Sequence, residues 1–332
     1  MHHQQKQGIL RTSNKRPMLS RLSLGLLASA ISVAALPAIA QEDGSADDLG
    51  VMSISLKDVV KPTFGFQGAL QGAGTPNQAG IGGFLPLSVG ENSVFFFDAL
   101  ANVNFADSGN DSSIINTKVA GTTISTSSRL GYRWLNSDRS WMYGLTAGYD
   151  SRPMNTGDAD TGVKVSNKRS VFFQQFAFNA EAVSDSLNFN TYILFPIGDT
   201  EQQLNSVYDG GALDTYGLDV GYFITPVVNA SVGYYYQKGD LGSADGSGVL
   251  GRVEYQISNG LTAGMNISYD EAFETKVSAD FKVRFDGPKT TAQQKEVQQQ
   301  PVINVLTSTP INREVRVHDC CYDDTPEDDS NN

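Results

Sequence analysis

Along much of this chain apolar and polar side chains alternate one for one. Leu261, Ala263, Met265, Ile267 and Tyr269 interleave with Thr262, Gly264, Asn266, Ser268 and Asp270. Val277, Ala279, Phe281, Val283 and Phe285 oppose Lys276, Ser278, Asp280, Lys282 and Arg284 in the same way. So do Val228, Ala230, Val232, Tyr234 and Tyr236 against Asn229, Ser231, Gly233, Tyr235 and Gln237. A period of two means strand, because successive side chains point to opposite faces. Twelve such segments are expected, over about 62–72, 77–89, 94–107, 123–136, 141–153, 169–184, 187–199, 214–225, 227–240, 247–258, 260–272 and 274–286. Strands of soluble domains usually have about five or six residues, whereas a tilted strand crossing a membrane needs about ten.

The connections alternate as well. Gly90–Ser93, Asn136–Arg139, Asp185-Ser186, Thr225-Pro226 and Asn259-Gly260 are short turns; Ser108 to Thr122, Met154 to Lys168 and Thr200 to Leu213 are long links. Short turns on one rim and long loops on the other describe a bacterial outer-membrane barrel. The expected fold is all-β: a transmembrane outer-membrane β-barrel of about twelve antiparallel strands between disordered N- and C-terminal segments. With the short turns in the periplasm, Trp134, Trp141, Tyr143, Tyr222, Tyr255 and Phe285 fall near the inner rim on the apolar face. Tyr149, Phe195, Tyr216, Tyr236 and Tyr269 fall near the outer rim, giving the two aromatic girdles expected at headgroup depth. The polar face would line the lumen with Asp98, Arg129, Arg133, Asp150, Glu181, Asp219, Arg252, Glu254, Lys276, Asp280, Lys282 and Arg284. Such a lumen is either laced with ion pairs and water or forms an eyelet that selects ions.

Composition narrows the chemistry. The 332 residues include 33 glycines, and 40% are hydrophobic. A formal charge of −12 opposes nucleic-acid binding, which needs clustered Lys and Arg. Three histidines and two cysteines leave little for metal or imidazole catalysis, so no cofactor, no metal and no enzymatic activity are expected. Lys6, Arg11, Lys15, Arg16 and Arg21 precede an apolar stretch from Leu22 to Leu36, and Ala38-Ile39-Ala40 reads as a cleavage site. Residues 1–40 are therefore expected to be a signal peptide for export across a Gram-negative-type envelope. Residues 41–61 form an acidic periplasmic segment, expected to be mostly unstructured; 62–287 form the barrel, and 288–332 a polar tail. In that tail, His318, Asp319, Cys320 and Cys321 are a compact cluster that could hold a metal. Adjacent cysteines seldom aim both thiolates at one ion, so a free or intermolecularly oxidised pair is the expectation. Phe281, Val283 and Phe285 resemble the signal by which outer-membrane barrels engage their assembly machinery, although it lies inside the chain. The expected partners are thus outer-membrane lipid and that machinery; oligomeric state is open.

Ser128-Arg129-Leu130-Gly131-Tyr132-Arg133, followed by Trp141-Met142-Tyr143-Gly144 and Gly148-Tyr149-Asp150, resembles the β-domain of inverse autotransporters, the intimin and invasin group. Phe97-Asp98-Ala99-Leu100, Phe178-Asn179-Ala180-Glu181, Phe195-Pro196-Ile197 and Tyr216 to Gly221 extend the likeness. Gly233 to Tyr236, Gly251 to Tyr255 and Ser268-Tyr269-Asp270 continue it in the same order, over about residues 90–287. The resemblance implies a twelve-stranded barrel whose C-terminal linker returns through the pore to display a passenger outside. Thr309 to Val317 looks like that linker, while the 45 residues after Gly287 are too few for an immunoglobulin-like passenger of about 100. The tail is accordingly expected to be a vestigial linker or passenger, threaded through the lumen or free in the periplasm. The alternative function is a small diffusion porin for ions or sugars.

Overall fold

The computed structural model describes residues 54–285, apart from 71, 73, 109–111, 243 and 259, and residues 301–321. The expected signal peptide and the start of the acidic segment lie outside the described residues, as do 286–300 and 322–332.

Twelve long strands close into an antiparallel barrel. They are β1 (Thr63–Leu70), β2 (Gln78–Val89), β3 (Ser93–Asn104), β5 (Thr123–Leu135), β6 (Trp141–Ala159), β7 (Ser170–Ser184) and β8 (Leu187–Ile197), then β11 (Asp214–Thr225), β12 (Val228–Lys238), β13 (Gly246–Ser258), β14 (Leu261–Asp270) and β15 (Glu274–Phe285). Each pairs with its neighbours in sequence, and β1 closes the ring on β15, with Phe64 opposite Phe285 and Leu70 opposite Ala279. Closure leaves no barrel strand with an unpaired edge. Alternation becomes two faces. On β5, Ser125, Ser127, Arg129 and Arg133 are buried while Ile124, Leu130 and Tyr132 are exposed. The outer surface is an apolar band; Met265, at 62% exposure, is typical of it.

Three features differ from expectation. First, β6 continues to Ala159, six residues beyond the expected end, and its extension pairs with a short β4 (Thr117–Ala120). Second, the long-loop rim carries a small sheet of β9 (Glu201–Gln203), β10 (Tyr208–Ala212) and β16 (Val317–Cys321), in the order β16-β10-β9. Third, the segments expected to be unstructured are folded where they are described. A one-turn helix α1 (Leu56–Val59) buries Leu56 and Val59, and Val60 beside it is buried too. The helical turn α2 (Pro301–Asn304) and the 3-10 turn Val305–Thr307 bury Val302, Ile303 and Leu306. These side chains pack together with Phe84, Val94, Phe96, Leu135, Met142 and Val183 at the short-turn mouth. The physical reason is local concentration. Few apolar residues suffice to order a segment when the barrel offers them a ready apolar collar.

Candidate functional site

The lumen is occupied by the chain's own tail. At the short-turn rim, Asn304 Nδ2 donates to Gln256 at 3.1 Å, just above the apolar collar. Arg133 Nη1 donates to the carbonyls of Leu306 (3.2 Å) and Ser308 (2.7 Å), and its Nε holds Glu181 at 2.7 Å. Arg284 donates to the Thr307 carbonyl (2.7 Å) and to Thr309 Oγ1 (2.5 Å). Higher up, Arg129 grips Asp150 through two bonds of 2.7 and 2.8 Å and reaches the Asn312 carbonyl at 3.2 Å. Arg313 of the tail answers with Nη2 on Asp98 at 2.5 Å.

Gln175 Nε2 bridges Asp150 (2.8 Å) and the Glu314 carbonyl (3.3 Å), and Gln78 donates to the Glu314 carboxylate at 2.7 Å. Arg152 Nη1 donates to the carbonyls of Val315 (2.9 Å) and Gly74. Arg316 then pairs with Asp270 at 3.1 Å, over the rings of Tyr235 and Phe273. Val315 and Val317 enter a second apolar collar with Ile114, Met154, Phe173 and Leu204, and residues 317–321 join the loop sheet as β16. Asp319 accepts from Asn116 N at 2.8 Å. The contacts run in chain order from one rim to the other.

Two costs are met by one arrangement. An extended segment crossing the lumen has backbone carbonyls with no sheet partner, and leaving them unpaired and buried is expensive. Fully buried guanidinium groups, such as Arg129 and Arg133 at 0% exposure, are tolerated only when paired and hydrogen-bonded. Arg129 and Arg133 each have more donors than one carboxylate can use, and part of the surplus goes to tail carbonyls.

At the long-loop rim, burial pushes the Asp319 carboxyl up to about 6, opposed by hydrogen bonds from Asn116 and Thr117. Burial holds His318 down to about 4, with Phe273 packed on its ring. These neighbours take opposite sides of β16. Among the described residues no group of three or more His, Cys, Asp or Glu side chains is placed to hold a metal ion. Cys320 is a half-buried free thiol.

All twelve lumen charges named from the sequence face the interior. Asp98, Arg129, Arg133, Asp150, Glu181 and Arg284 converge on the tail, directly or through one partner. Lys276 lies 3.8 Å from Asp270, beside Arg316, and over the Phe273 ring. Arg252, Glu254 and Asp280 form a separate cluster, and with Asp219 and Lys282 they line a cavity on the far side of the tail. The aromatic residues Trp134, Trp141, Tyr143, Tyr222, Tyr255 and Phe285 sit toward the short-turn ends of their strands. Phe195, Tyr216, Tyr236 and Tyr269 lie toward the long-loop ends; Tyr149 is mid-strand, because β6 runs on past it. Arg152, Gln175 and Asp270 hold the tail but were not singled out from the sequence. Asp270 was legible as a polar-face position, whereas Arg152 lies where the alternation on β6 fades.

No family model matches this chain, and no curated protein matches it. Among solved structures, one from work on in-meso crystallisation of membrane proteins superposes with a TM-score of 0.55 at 12% identity, covering 78% of this chain and 100% of that one. An outer membrane channel from Pseudomonas putida F1 gives 0.41 at 10% identity, over 68% and 94%. Outer membrane phospholipase A from Escherichia coli gives 0.35 at 11% identity, over 70% and 97%. Identities this low speak to fold alone. The fold is that of an outer-membrane β-barrel.

Proposed function

We propose that this chain is a non-enzymatic outer-membrane barrel, exported by its N-terminal signal peptide, that threads its own C-terminal segment outward in the manner of an inverse-autotransporter translocator. The observation that carries the reading is the unbroken series of contacts from Asn304 to Asp319, which leads the tail from the short-turn rim to the long-loop rim. The apolar outer band is suited to lipid, and the girdle aromatics sit where headgroups would lie. Whatever follows residue 321 then leaves on the extracellular side, and the ion pairs of the lumen serve to hold the segment rather than to select ions. A diffusion porin would need the same lumen free of the tail.

The test is topological. Intact cells treated with a membrane-impermeant maleimide after mild reduction should label Cys320. Labelling that requires a permeabilised outer membrane would place the tail's end inside and favour the porin.

A further inference from the structure

Two kinds of contact hold the tail. Arg133 donates to the carbonyls of Leu306 and Ser308, Arg284 to that of Thr307, and Arg129 to that of Asn312. Gln175 and Arg152 continue with the carbonyls of Glu314 and Val315. A carbonyl is the same on every residue, so these donors read nothing of the side chain beside it. In an extended chain, residues two apart point their carbonyls the same way. A tail displaced by two residues would therefore offer the wall equivalent acceptors. Such contacts hold an extended polypeptide without setting its register.

Arg313 and Arg316 behave differently. They are the only lysine or arginine residues between Pro301 and Cys321. Arg313 Nη2 donates to Asp98 Oδ1 at 2.5 Å and Nη1 to Ser127 Oγ at 3.3 Å, while its Nε closes on the Pro310 carbonyl at 2.9 Å. Arg316 Nη2 donates to Asp270 Oδ2 at 3.1 Å. Asp98 is 1% exposed and Asp270 0%, so neither carboxylate can turn to water instead. The other side-chain contacts of this stretch are Thr309 on Arg284, Asn312 beside Asp219 and Glu314 on Gln78, and each includes a neutral group.

A slip of two residues keeps each side chain on its own side of an extended chain. It would bring Ile311 or Val315 to Asp98, and Glu314 or His318 to Asp270. The first exchange strands a buried carboxylate against an apolar side chain. The second sets carboxylate on carboxylate, or an imidazole where the guanidinium was. We propose that Arg313 and Arg316 are the stop of the thread: the lumen grips an extended polypeptide by its carbonyls, and these two side chains halt it at Asp98 and Asp270. The inference rests on the threaded reading above and adds which residues fix how far the tail travels.

Register is measured at the loop sheet, where Cys320 stands opposite Asp209 and His318 opposite Gly211. In the full chain carrying Cys321→Ser, a second cysteine is placed by Val207→Cys, Asp209→Cys or Gly211→Cys, one at a time. After mild oxidation, the disulfide to Cys320 is quantified by mass spectrometry of the digested protein. Residues directly opposite have Cβ atoms about 4.5–5.5 Å apart and can be joined after a small shift, whereas diagonal neighbours lie about 7–8 Å away. The unaltered tail should join to position 209. Asp98→Asn, Arg313→Gln and Arg316→Gln together remove both stops without stranding the Asp98 charge. In that variant the preference for 209 over 207 and 211 should fall at least about tenfold. Thr307→Ala, Ser308→Ala and Ile311→Ala together leave every carbonyl in place and should keep the preference. An undiminished preference in the first variant would give the register to the loop sheet, and a lost preference in the second would give it to those three side chains. Either result overturns the stop and leaves the threaded tail standing. No disulfide at any of the three positions with the unaltered tail would deny the thread itself, and the stop with it. Should the first variant lose heat-modifiable gel mobility, Arg316→Gln alone decides, since Asp270 is still held by Lys276, Tyr235 and Gln237.

Discussion

On β3, β5 and β6 the lumen charges are sealed. Arg129 and Asp150 have 0% and 1% of their side chains exposed, and the Arg313–Asp98 pair is nearly as closed. On β13 and β15 the corresponding cluster is wetter: Arg252 and Asp280 keep 18% exposure each and Glu254 keeps 38%. The first wall spends surplus donors on tail backbone; the Arg252 cluster of the second is bonded by side chains of its own, and only Arg284 beside it reaches the tail among the described residues of that wall. The same residue types thus make a grip on one side and a self-sufficient lining on the other. What separates them is the presence of a neighbour that cannot be moved without stranding a charge.

Deleting residues 288–332 should have the largest effect, since it removes both collars' tail side chains and leaves Arg129, Arg133 and Arg152 facing water. Single-channel recording should then show an open pore that the full chain lacks, with a lowered thermal midpoint. A closed truncated barrel would mean that the first wall does not need the tail. Next, Asp98→Ala should cost about 3–5 kcal/mol by leaving Arg313 buried and unpaired. Asp280→Ala on the wetter wall should cost no more than about 1 kcal/mol, near the range of surface pairs. Equal costs in denaturant unfolding would erase the distinction between the walls.

The contrast also holds through the thickness of one strand. Met265→Arg, on the outer face, should destabilise by about 2–4 kcal/mol in lipid, and Asn266→Arg, facing the cavity, by much less. A reversed order would put the register off by one residue.

The smallest expected effect is at the loop sheet. Asp319 has its carboxyl raised to about 6, so its contribution to docking of β16 is present below about pH 4 and lost as pH rises to 6. His318, lowered to about 4, contributes above its ordinary 6.5 and loses that contribution as pH falls to 4, with Asp270 and Lys276 facing it. The two slopes oppose each other, so hydrogen exchange of residues 317–321, corrected for its intrinsic pH dependence, should be nearly flat between pH 4 and 6.5. In Asp319→Asn, protection should increase with pH across that window. A steep wild-type profile would show that one group dominates.

The barrel was legible because each membrane-length strand repeats its pattern about five times, as Leu261 to Asp270 does. A one-residue error there would expose every lumen charge. The loop sheet was not legible: β9, β10 and β16 have five residues or fewer, and no apolar band imposes alternation on them. The extension of β6 past Pro153 carries Asn155, Gly157 and Asp158, which read as loop. The buried turn at Leu56–Val59 is a single turn, too short for a helical period to show. In the tail, Gln298, Gln299 and Gln300 dominate the composition, while Val302, Ile303, Leu306, Val315 and Val317 follow no period. Their partners are the walls of a lumen that sequence alone does not draw.

Arg313 and Asp98 are 215 positions apart, and Arg129 reaches Asn312 across 183. Contacts so remote form late, because the whole ring must be assembled before they exist. The described segment that fills the interior is therefore also its last piece to be put in place. Until residues 301–321 arrive, the barrel is a shell with an unfinished centre; once they do, plug and core are the same residues, and neither can be lost without the other.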